Sequence, residues 1–185
     1  MMNKNKLTDV PTLVFGDRNL TMVAKAKKMG LGSEWIEGDP MNASDLDAIV
    51  SPANTIGEMA GGYDLVIRTR LGAEVERRVK ESIKSEKMFL GMARVLETGA
   101  SIPKIIVVPT VMATTCAVPS KTPGTDVIEI GTYNLMMEAY RNNIKRVGTV
   151  LLGGGIGALS PDAALAAMEL GYFRAYEEID ELIYG

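Results

Sequence analysis

The sequence contains no histidine and one cysteine, Cys116, among its 185 residues. Without histidine, the usual Ser-His-Asp and Cys-His nucleophile systems are excluded. One cysteine without histidine cannot supply the common zinc ligand sets, so we expect no metal site. We also expect no cofactor. A single cysteine also excludes an internal disulfide and suits a reducing cytoplasm. If the protein is an enzyme, carboxylates and backbone dipoles must carry its chemistry.

Excess positive charge and long apolar runs are also missing. The net charge of −3 and the pI of about 5.2 argue against a general nucleic-acid-binding protein. No apolar run approaches the ~20 residues of a membrane span, and Met1–Lys6 lacks the apolar core of a signal peptide. We therefore expect a cytoplasmic protein without membrane or nucleic-acid partners. Its length predicts one domain, residues 1–185.

Short apolar runs alternate with longer segments of helical periodicity. The predicted strands are Pro11–Phe15, Trp35–Glu37, Leu46–Ser51, Met92–Leu96, Ile105–Val108 and Val147–Leu152. The predicted helices are Asn19–Met29, Tyr63–Ile83 with a break at Gly72, Asp126–Asn142 and Pro161–Ile183. This alternation predicts an α/β fold: a three-layer α/β/α sandwich around a mixed, mostly parallel sheet.

Four glycines occur within the five residues Gly153–Gly157, directly after a predicted strand and before a helix that opens at Ser160. Exposed backbone N–H groups ahead of a helix N-terminus form a site for an anion, which predicts a phosphate or diphosphate cradle. The alternative is a tight strand-to-helix turn that binds nothing. A Walker loop is excluded because Ala158 and Leu159 follow the glycines.

Other features also follow predicted strands. They are Pro52-Ala53-Asn54 and Thr98-Gly99. Because ligands of α/β sheets bind at the carboxyl ends of the strands, we expect both to lie beside the glycine segment. The long connection Thr110–Thr125 is typical of a functional lid or a flexible loop.

Four segments in this order resemble the macro domain, the ADP-ribose-binding α/β module, and are closest to the short macro domains of phage and bacterial proteins. The segments are Gly38-Asp39-Pro40, Asp47-Ala48-Ile49-Val50-Ser51-Pro52-Ala53-Asn54, Gly61-Gly62-Tyr63-Asp64 and Leu152-Gly153-Gly154-Gly155-Ile156-Gly157. The match extends from about Trp35 to Ala175.

The resemblance implies a role for each segment. Asp39 matches the acid that accepts the adenine amino group, and Asn54 matches the asparagine that binds the distal ribose. Gly61, Gly62 and Tyr63 match the loop around that ribose and its phosphate, and Gly153–Gly157 match the second phosphate loop. Asp64 matches the aspartate that activates water beside the anomeric carbon, so Asp64 and Asn54 are the catalytic candidates.

These roles agree with the chemistry of the side chains. An amide can both donate to and accept from ribose hydroxyls, and a nearby phosphate should raise the pKa of Asp64 toward that of a general base. Alternatives remain open for each residue. Asp64 could cap its helix, Asn54 could belong to an ordinary turn, and Asp39 could be a loop acid.

The sequence departs from the family pattern at four positions. Pro40 has no N–H to offer the base, and Ser51 replaces the first asparagine of the usual Asn-Ala-Ala-Asn run. Ala60 replaces a loop glycine, and Leu159 stands where many members place an aromatic ring over the ribose.

We therefore predict binding of ADP-ribose or a related NAD-derived nucleotide, with hydrolysis of an ADP-ribosyl ester or of ADP-ribose-1″-phosphate. An ADP-ribosylated protein is a possible partner. The alternative is a non-catalytic reader or sequestering protein for an ADP-ribose-like signal, such as a phage anti-defence protein. A third hypothesis is an interaction protein with a degenerate macro fold.

Overall fold

The computed structural model describes residues 9–113, 124–155 and 159–185. Its strands are β1 Thr12–Asp17, β2 Glu34–Glu37, β3 Ala48–Ser51, β4 Arg94–Glu97, β5 Lys104–Val107 and β6 Arg146–Thr149. The helices are α1 Leu20–Met29, α2 Gly62–Leu71, α3 Ala73–Ser85, α4 Thr125–Arg141 and α5 Pro161–Tyr184, with a short 3-10 helix at Pro40–Asn42.

The strands form one sheet in the order β2-β1-β6-β3-β5-β4. All neighbouring strands are parallel except β4, which runs antiparallel to β5. The carboxyl ends of β1, β2, β3, β5 and β6 therefore share one edge of the sheet, which we call the carboxyl edge. Ligands of α/β sheets bind at this edge.

Alternate residues along each strand build two separate cores, one on each face of the sheet. Leu13 and Phe15 of β1 pack toward α1, α4 and α5, whereas Val14 between them packs toward α2 and α3. In β5, Ile106 and Ile105 divide in the same way. Helices cover both faces of the sheet, and strands buried on two sides in this way carry nearly continuous apolar runs. This is the predicted three-layer α/β/α sandwich, which is confirmed.

The predicted helix boundaries follow from local backbone chemistry. Asn19 caps α1 by accepting a hydrogen bond from the Thr21 N–H, and Gly30 ends the helix in the left-handed region at φ 77°. Gly72 separates α2 from α3 at φ 98°. In the part of the chain that the structure describes, no helix has the length and apolarity to cross a membrane.

Two predictions about the sheet are wrong. Because β4 is antiparallel, the turn at Thr98-Gly99 lies at the opposite edge of the sheet from Pro52-Ala53-Asn54. In this turn, Thr98 Oγ1 donates a hydrogen bond to the Ile102 carbonyl. The last strand ends at Thr149 rather than at Leu152, so the chain leaves the sheet earlier than predicted. Several predicted features lie outside the described residues: Met1–Lys6, Cys116, Ile156, Gly157 and most of Thr110–Thr125.

Candidate functional site

A cleft of about 490 Å³ lies at the carboxyl edge of the sheet. Three chain segments line it: residues 52–64 after β3, residues 110–113 after β5 and residues 150–155 after β6. Asn54, Asp64 and Gly155 all contribute to this lining although they are distant in sequence. The structure therefore brings the predicted ribose, water-activating and phosphate residues to one cleft.

A second cleft of about 320 Å³ adjoins the first. Gly62, Tyr63 and Val150 line both clefts, and the second cleft also includes Asp39 and Arg18. Together the two clefts provide an elongated site, with Asp39 at one end and Asn54 at the other. An extended ligand with a base at one end and a sugar at the other suits this shape.

Asp64 lies in the first turn of α2 with only 5% of its surface exposed. Its Oδ1 accepts a hydrogen bond of 2.6 Å from Ser51 Oγ at the end of β3. Burial raises the pKa of Asp64 to about 6; the Ser51 hydrogen bond opposes this shift and the charge of Glu76 adds to it. The direction agrees with the sequence-based expectation, but the cause is burial and needs no phosphate. Asp64 is not the N-cap of α2: Gly61 holds that position, and no side-chain hydrogen bond caps the helix there.

Ser51→Ala is expected to raise the pKa of Asp64 further, because it removes a donor that stabilises the carboxylate. NMR titration of the Asp64 side-chain carboxyl carbon would give the midpoint in both proteins. Ser101→Ala, an exposed serine at the opposite edge, is the control and should leave the midpoint unchanged. A midpoint that stays the same or falls in Ser51→Ala would contradict this account.

The amide of Asn54 organises the loop that follows it. Asn54 Oδ1 accepts from the N–H groups of Ile56 and Glu58 at 3.2 and 3.1 Å, and its Nδ2 donates to the Glu58 carbonyl at 2.9 Å. Asn54 is thus a turn residue as well as a lining residue. Because an amide nitrogen carries two hydrogens, Asn54 can still donate once into the cleft.

This loop is fastened to α3, which keeps the cleft wall in place. Gly57 adopts φ 77° and lies so close to α3 that an added Cβ would meet Val79 at 3.1 Å. Met59 is buried, and its N–H donates to Glu76 Oε1 at 3.1 Å. Glu76 also pairs with Arg68 and Lys80. The loop is therefore held by both packing and charge.

Asp39 accepts three hydrogen bonds within the protein. Oδ1 accepts from the Met41 N–H at 2.9 Å and from the Tyr63 hydroxyl at 2.6 Å, and Oδ2 pairs with Arg70 at 2.7 Å. Burial alone would raise the pKa of Asp39, but the three donors outweigh burial and hold the pKa below its ordinary value. Asp39 is therefore ionised, and one lone pair of Oδ2 remains for a ligand amino group.

Gly153 and Gly155 differ in their surroundings. Gly153 adopts φ 79° and lies on Ile128, whose Cδ1 is 2.7 Å from the position of an added Cβ. Gly155 is exposed, and an added Cβ there would have no atom of the described residues within 4 Å. The Leu159 N–H donates to the Gly153 carbonyl at 3.3 Å, and Ser160 caps α5 immediately afterwards. The described part of the segment thus lies in front of a helix N-terminus, as an anion site requires.

Four predicted ligand residues do not line either cleft in the described part of the chain. Pro40 is buried against Gly16, Ser51 lies behind Asp64, Gly154 packs on Leu151, and Leu159 packs against the core. Ile156 and Gly157 lie outside the described residues.

The lining also includes residues that the sequence analysis did not select. Among them are Arg18, Glu58 and Val150. Residues 110–113, by contrast, begin the connection Thr110–Thr125 that the sequence marked as a functional lid or a flexible loop. Arg18 had a usable signal, since it follows a strand that ends at the carboxyl edge. Glu58 carried no such signal, because its position depends on how its loop folds back.

Comparisons of the sequence and of the structure with known proteins both find macro domains. The family model for the Macro domain matches residues 50–168. The macrodomain of Mycobacterium tuberculosis DarG is 26% identical, with a TM-score of 0.60 over 77% of this chain and 88% of that chain. The macrodomain of Thermus aquaticus DarG is 20% identical, with a TM-score of 0.61 over 74% and 87% of the two chains.

Thermosipho africanus DarTG, solved in complex with ADP-ribose, is 18% identical with a TM-score of 0.60. The match covers 71% of this chain and 36% of that chain. No curated protein matches the sequence.

Proposed function

The chain belongs to the macro domain family, and we propose that it binds ADP-ribose or a related NAD-derived nucleotide in its two adjoining clefts. The observation that carries this proposal is the shared lining of the larger cleft by Asn54, Asp64 and Gly155. Thermosipho africanus DarTG, part of which has this fold, was solved in complex with ADP-ribose, and this supports the proposal. One cysteine among 185 residues suits the reducing cytoplasm, where we place the activity.

We place the ligand with its adenine in the smaller cleft and its distal ribose in the larger cleft. The adenine amino group donates to Asp39 Oδ2, and the diphosphate lies against the backbone N–H groups of Gly61, Gly62 and the Gly153–Gly155 segment. Neutral N–H donors can hold a diphosphate because the helix dipoles of α2 and α5 point at it. The distal ribose then reaches Asn54 and Asp64.

We further propose that the protein hydrolyses the bond between the anomeric carbon and its substituent. Asp64 takes a proton from water, the water oxygen bonds to C1″, and the bond from C1″ to the leaving oxygen breaks. The leaving group departs as a carboxylate or phosphate, and Asp64 returns its proton to solvent. A pKa of about 6 leaves Asp64 mostly ionised at neutral pH and suited to general base catalysis.

A multiple-turnover assay tests this activity with an ADP-ribosylated protein and with ADP-ribose-1″-phosphate. Product in large molar excess over the protein would support hydrolysis. Product no greater than the protein added would contradict it, even when calorimetry shows that ADP-ribose binds.

The charges at the sugar end favour an ester over a phosphate as the substrate. Among the described lining residues of the larger cleft, the charged side chains are Glu58 and Asp64, and both are acids. A phosphate leaving group meets like charges there, whereas an ester is neutral. We expect kcat/KM for the ester to exceed that for ADP-ribose-1″-phosphate by about tenfold or more, since ~1.4 kcal/mol of repulsion suffices.

Glu58→Gln should narrow this difference by raising kcat/KM for ADP-ribose-1″-phosphate. Added salt should narrow it in the wild type, because salt screens the repulsion between the acids and the phosphate. Faster turnover of ADP-ribose-1″-phosphate in the wild type would overturn the ester preference.

A binding-only function is the second candidate, and the hydrogen bonds of Asn54 favour it. Its amide is engaged by Ile56 and Glu58, which leaves less of it to position water. A protein of this kind would sequester an ADP-ribose-like signal, as a phage anti-defence protein would. Stoichiometric binding without product in the assay above would select this function. Calorimetry without heat for ADP-ribose and related nucleotides would instead support an interaction protein with a degenerate fold.

A further inference from the structure

Arg18 is a cation that has no partner among the described residues and lies beside the proposed ligand. It is the first residue after β1, and it is exposed and lines the smaller cleft with Asp39, Tyr63 and Val150. Among the described residues, none forms a hydrogen bond or an ion pair with the Arg18 side chain, and no other cationic residue lines either cleft.

The strand register places Arg18 between the two ends of the nucleotide site. On one side of β1, Asp17 pairs with Glu37 of β2, so Arg18 stands beside Gly38 at the base end. On the other side, Phe15 pairs with Thr149 of β6, so Arg18 stands beside the segment that leads from Val150 into the glycines. Arg18 therefore lies at the junction of the base end and the phosphate end.

The two acids that line the smaller cleft with Arg18 already have other donors. Asp39 accepts from Tyr63 and Arg70, and Asp17 Oδ1 accepts from the Asn19 N–H at 2.7 Å. Among the described residues, every other arginine forms an ion pair with an acidic residue, as Arg146 does with Glu34. The guanidinium of Arg18 thus remains available for an anion that arrives with the ligand.

We propose that Arg18 pairs with the adenosine-side phosphate of the bound nucleotide and makes the site select 5′-phosphorylated nucleotides over nucleosides. This inference rests on the proposed nucleotide binding. A guanidinium forms paired, charge-assisted hydrogen bonds with phosphate oxygens, which neutral backbone amides cannot match in strength. The backbone cradle then holds the distal phosphate, while Arg18 fixes the phosphate nearest to the base.

The test is a calorimetric titration of ADP-ribose, AMP and adenosine into the wild type and three variants. Arg18→Gln should weaken ADP-ribose and AMP about tenfold or more and leave adenosine unchanged. Arg18→Lys should recover part of the loss, because lysine keeps the charge without the planar fork. Arg141→Gln, an exposed arginine at the end of α4 with 61% of its side chain accessible, removes one charge far from the cleft and should change none of the affinities.

Salt provides a second readout, because the salt dependence of ADP-ribose binding should be shallower in Arg18→Gln than in the wild type. Equal weakening of adenosine and AMP would overturn the proposal by showing that Arg18 contacts the nucleoside. Unchanged AMP affinity in Arg18→Gln would overturn it as well. If the wild type bound none of the three compounds, nucleotide binding itself would fail and the role of Arg18 with it, a result distinct from any failure confined to the variant.

Discussion

Asp64→Asn is expected to abolish hydrolysis and, in the same protein, to stabilise the fold at neutral pH. The loss of activity follows from the proposed role of Asp64 as the general base, since asparagine cannot take a proton from water. Removal of a general base lowers kcat by about 10²–10⁴-fold. Affinity for ADP-ribose should change little, because asparagine keeps the shape of the side chain and an oxygen that can accept from Ser51 Oγ.

The gain in stability follows from the buried charge. Burial raises the pKa of Asp64 from 3.8 to about 6 in the folded protein, so the folded state holds this proton more tightly than the unfolded state. The associated stability is fully present below pH ~4 and is lost as the pH rises through 6. At neutral pH the ionised carboxylate therefore costs about 3 kcal/mol in the free energy of unfolding, an upper value for the gain in Asp64→Asn.

Urea denaturation at pH 7.5 and pH 4.5 would measure this difference, with the assay for turnover run on the same preparations. We expect Asp64→Asn to be more stable than the wild type at pH 7.5 and to lose most of that advantage at pH 4.5. Glu177→Gln removes an exposed carboxylate from α5 and should change neither stability nor turnover. Full activity in Asp64→Asn would show that another group is the base, and equal stability at pH 7.5 would show that the buried charge is not costly.

The fold was predictable because each of its parts has a local cause. Consecutive apolar residues from Ile105 to Val107 indicate a strand covered on both faces, and Asn19 and Gly30 mark the ends of α1. Strand direction has no such local signal. The backbone pairing of Arg94 with Val107 makes β4 antiparallel, and this reversal is why Thr98-Gly99 lies away from the cleft.

The candidate site was predictable as far as strand ends determine it. Asn54 and Gly155 follow strands whose carboxyl ends share an edge, so their convergence follows from topology. Contacts between distant side chains were not predictable. Arg70 reaches Asp39 across 31 positions of the chain, and only the packing of α2 against the sheet brings them together. Burial, which sets the pKa of Asp64, likewise depends on the whole fold.

Gly155→Val is expected to weaken nucleotide binding while leaving the fold intact. Gly155 lines the larger cleft, and an added Cβ would meet no atom of the described residues within 4 Å. The new side chain therefore clashes with the ligand rather than with the protein. Forcing extra methyl groups into a close contact costs about 1–3 kcal/mol, so we expect affinity for ADP-ribose to fall by about 10–100-fold. The free energy of unfolding should stay within about 0.5 kcal/mol of the wild-type value.

Gly153→Ala is the matched control, because it changes the same segment but places its added methyl group against the core and not against the ligand. Its added Cβ would stand 2.7 Å from Ile128 Cδ1 in the core, at a φ of 79° that alanine disfavours. This variant should lose about 1–3 kcal/mol of stability, and its affinity should fall only as far as the segment is displaced. Calorimetry and urea denaturation of both variants separate the two effects. If Gly155→Val bound ADP-ribose as tightly as the wild type, the diphosphate would not lie against this segment, because a valine there cannot share the space with it.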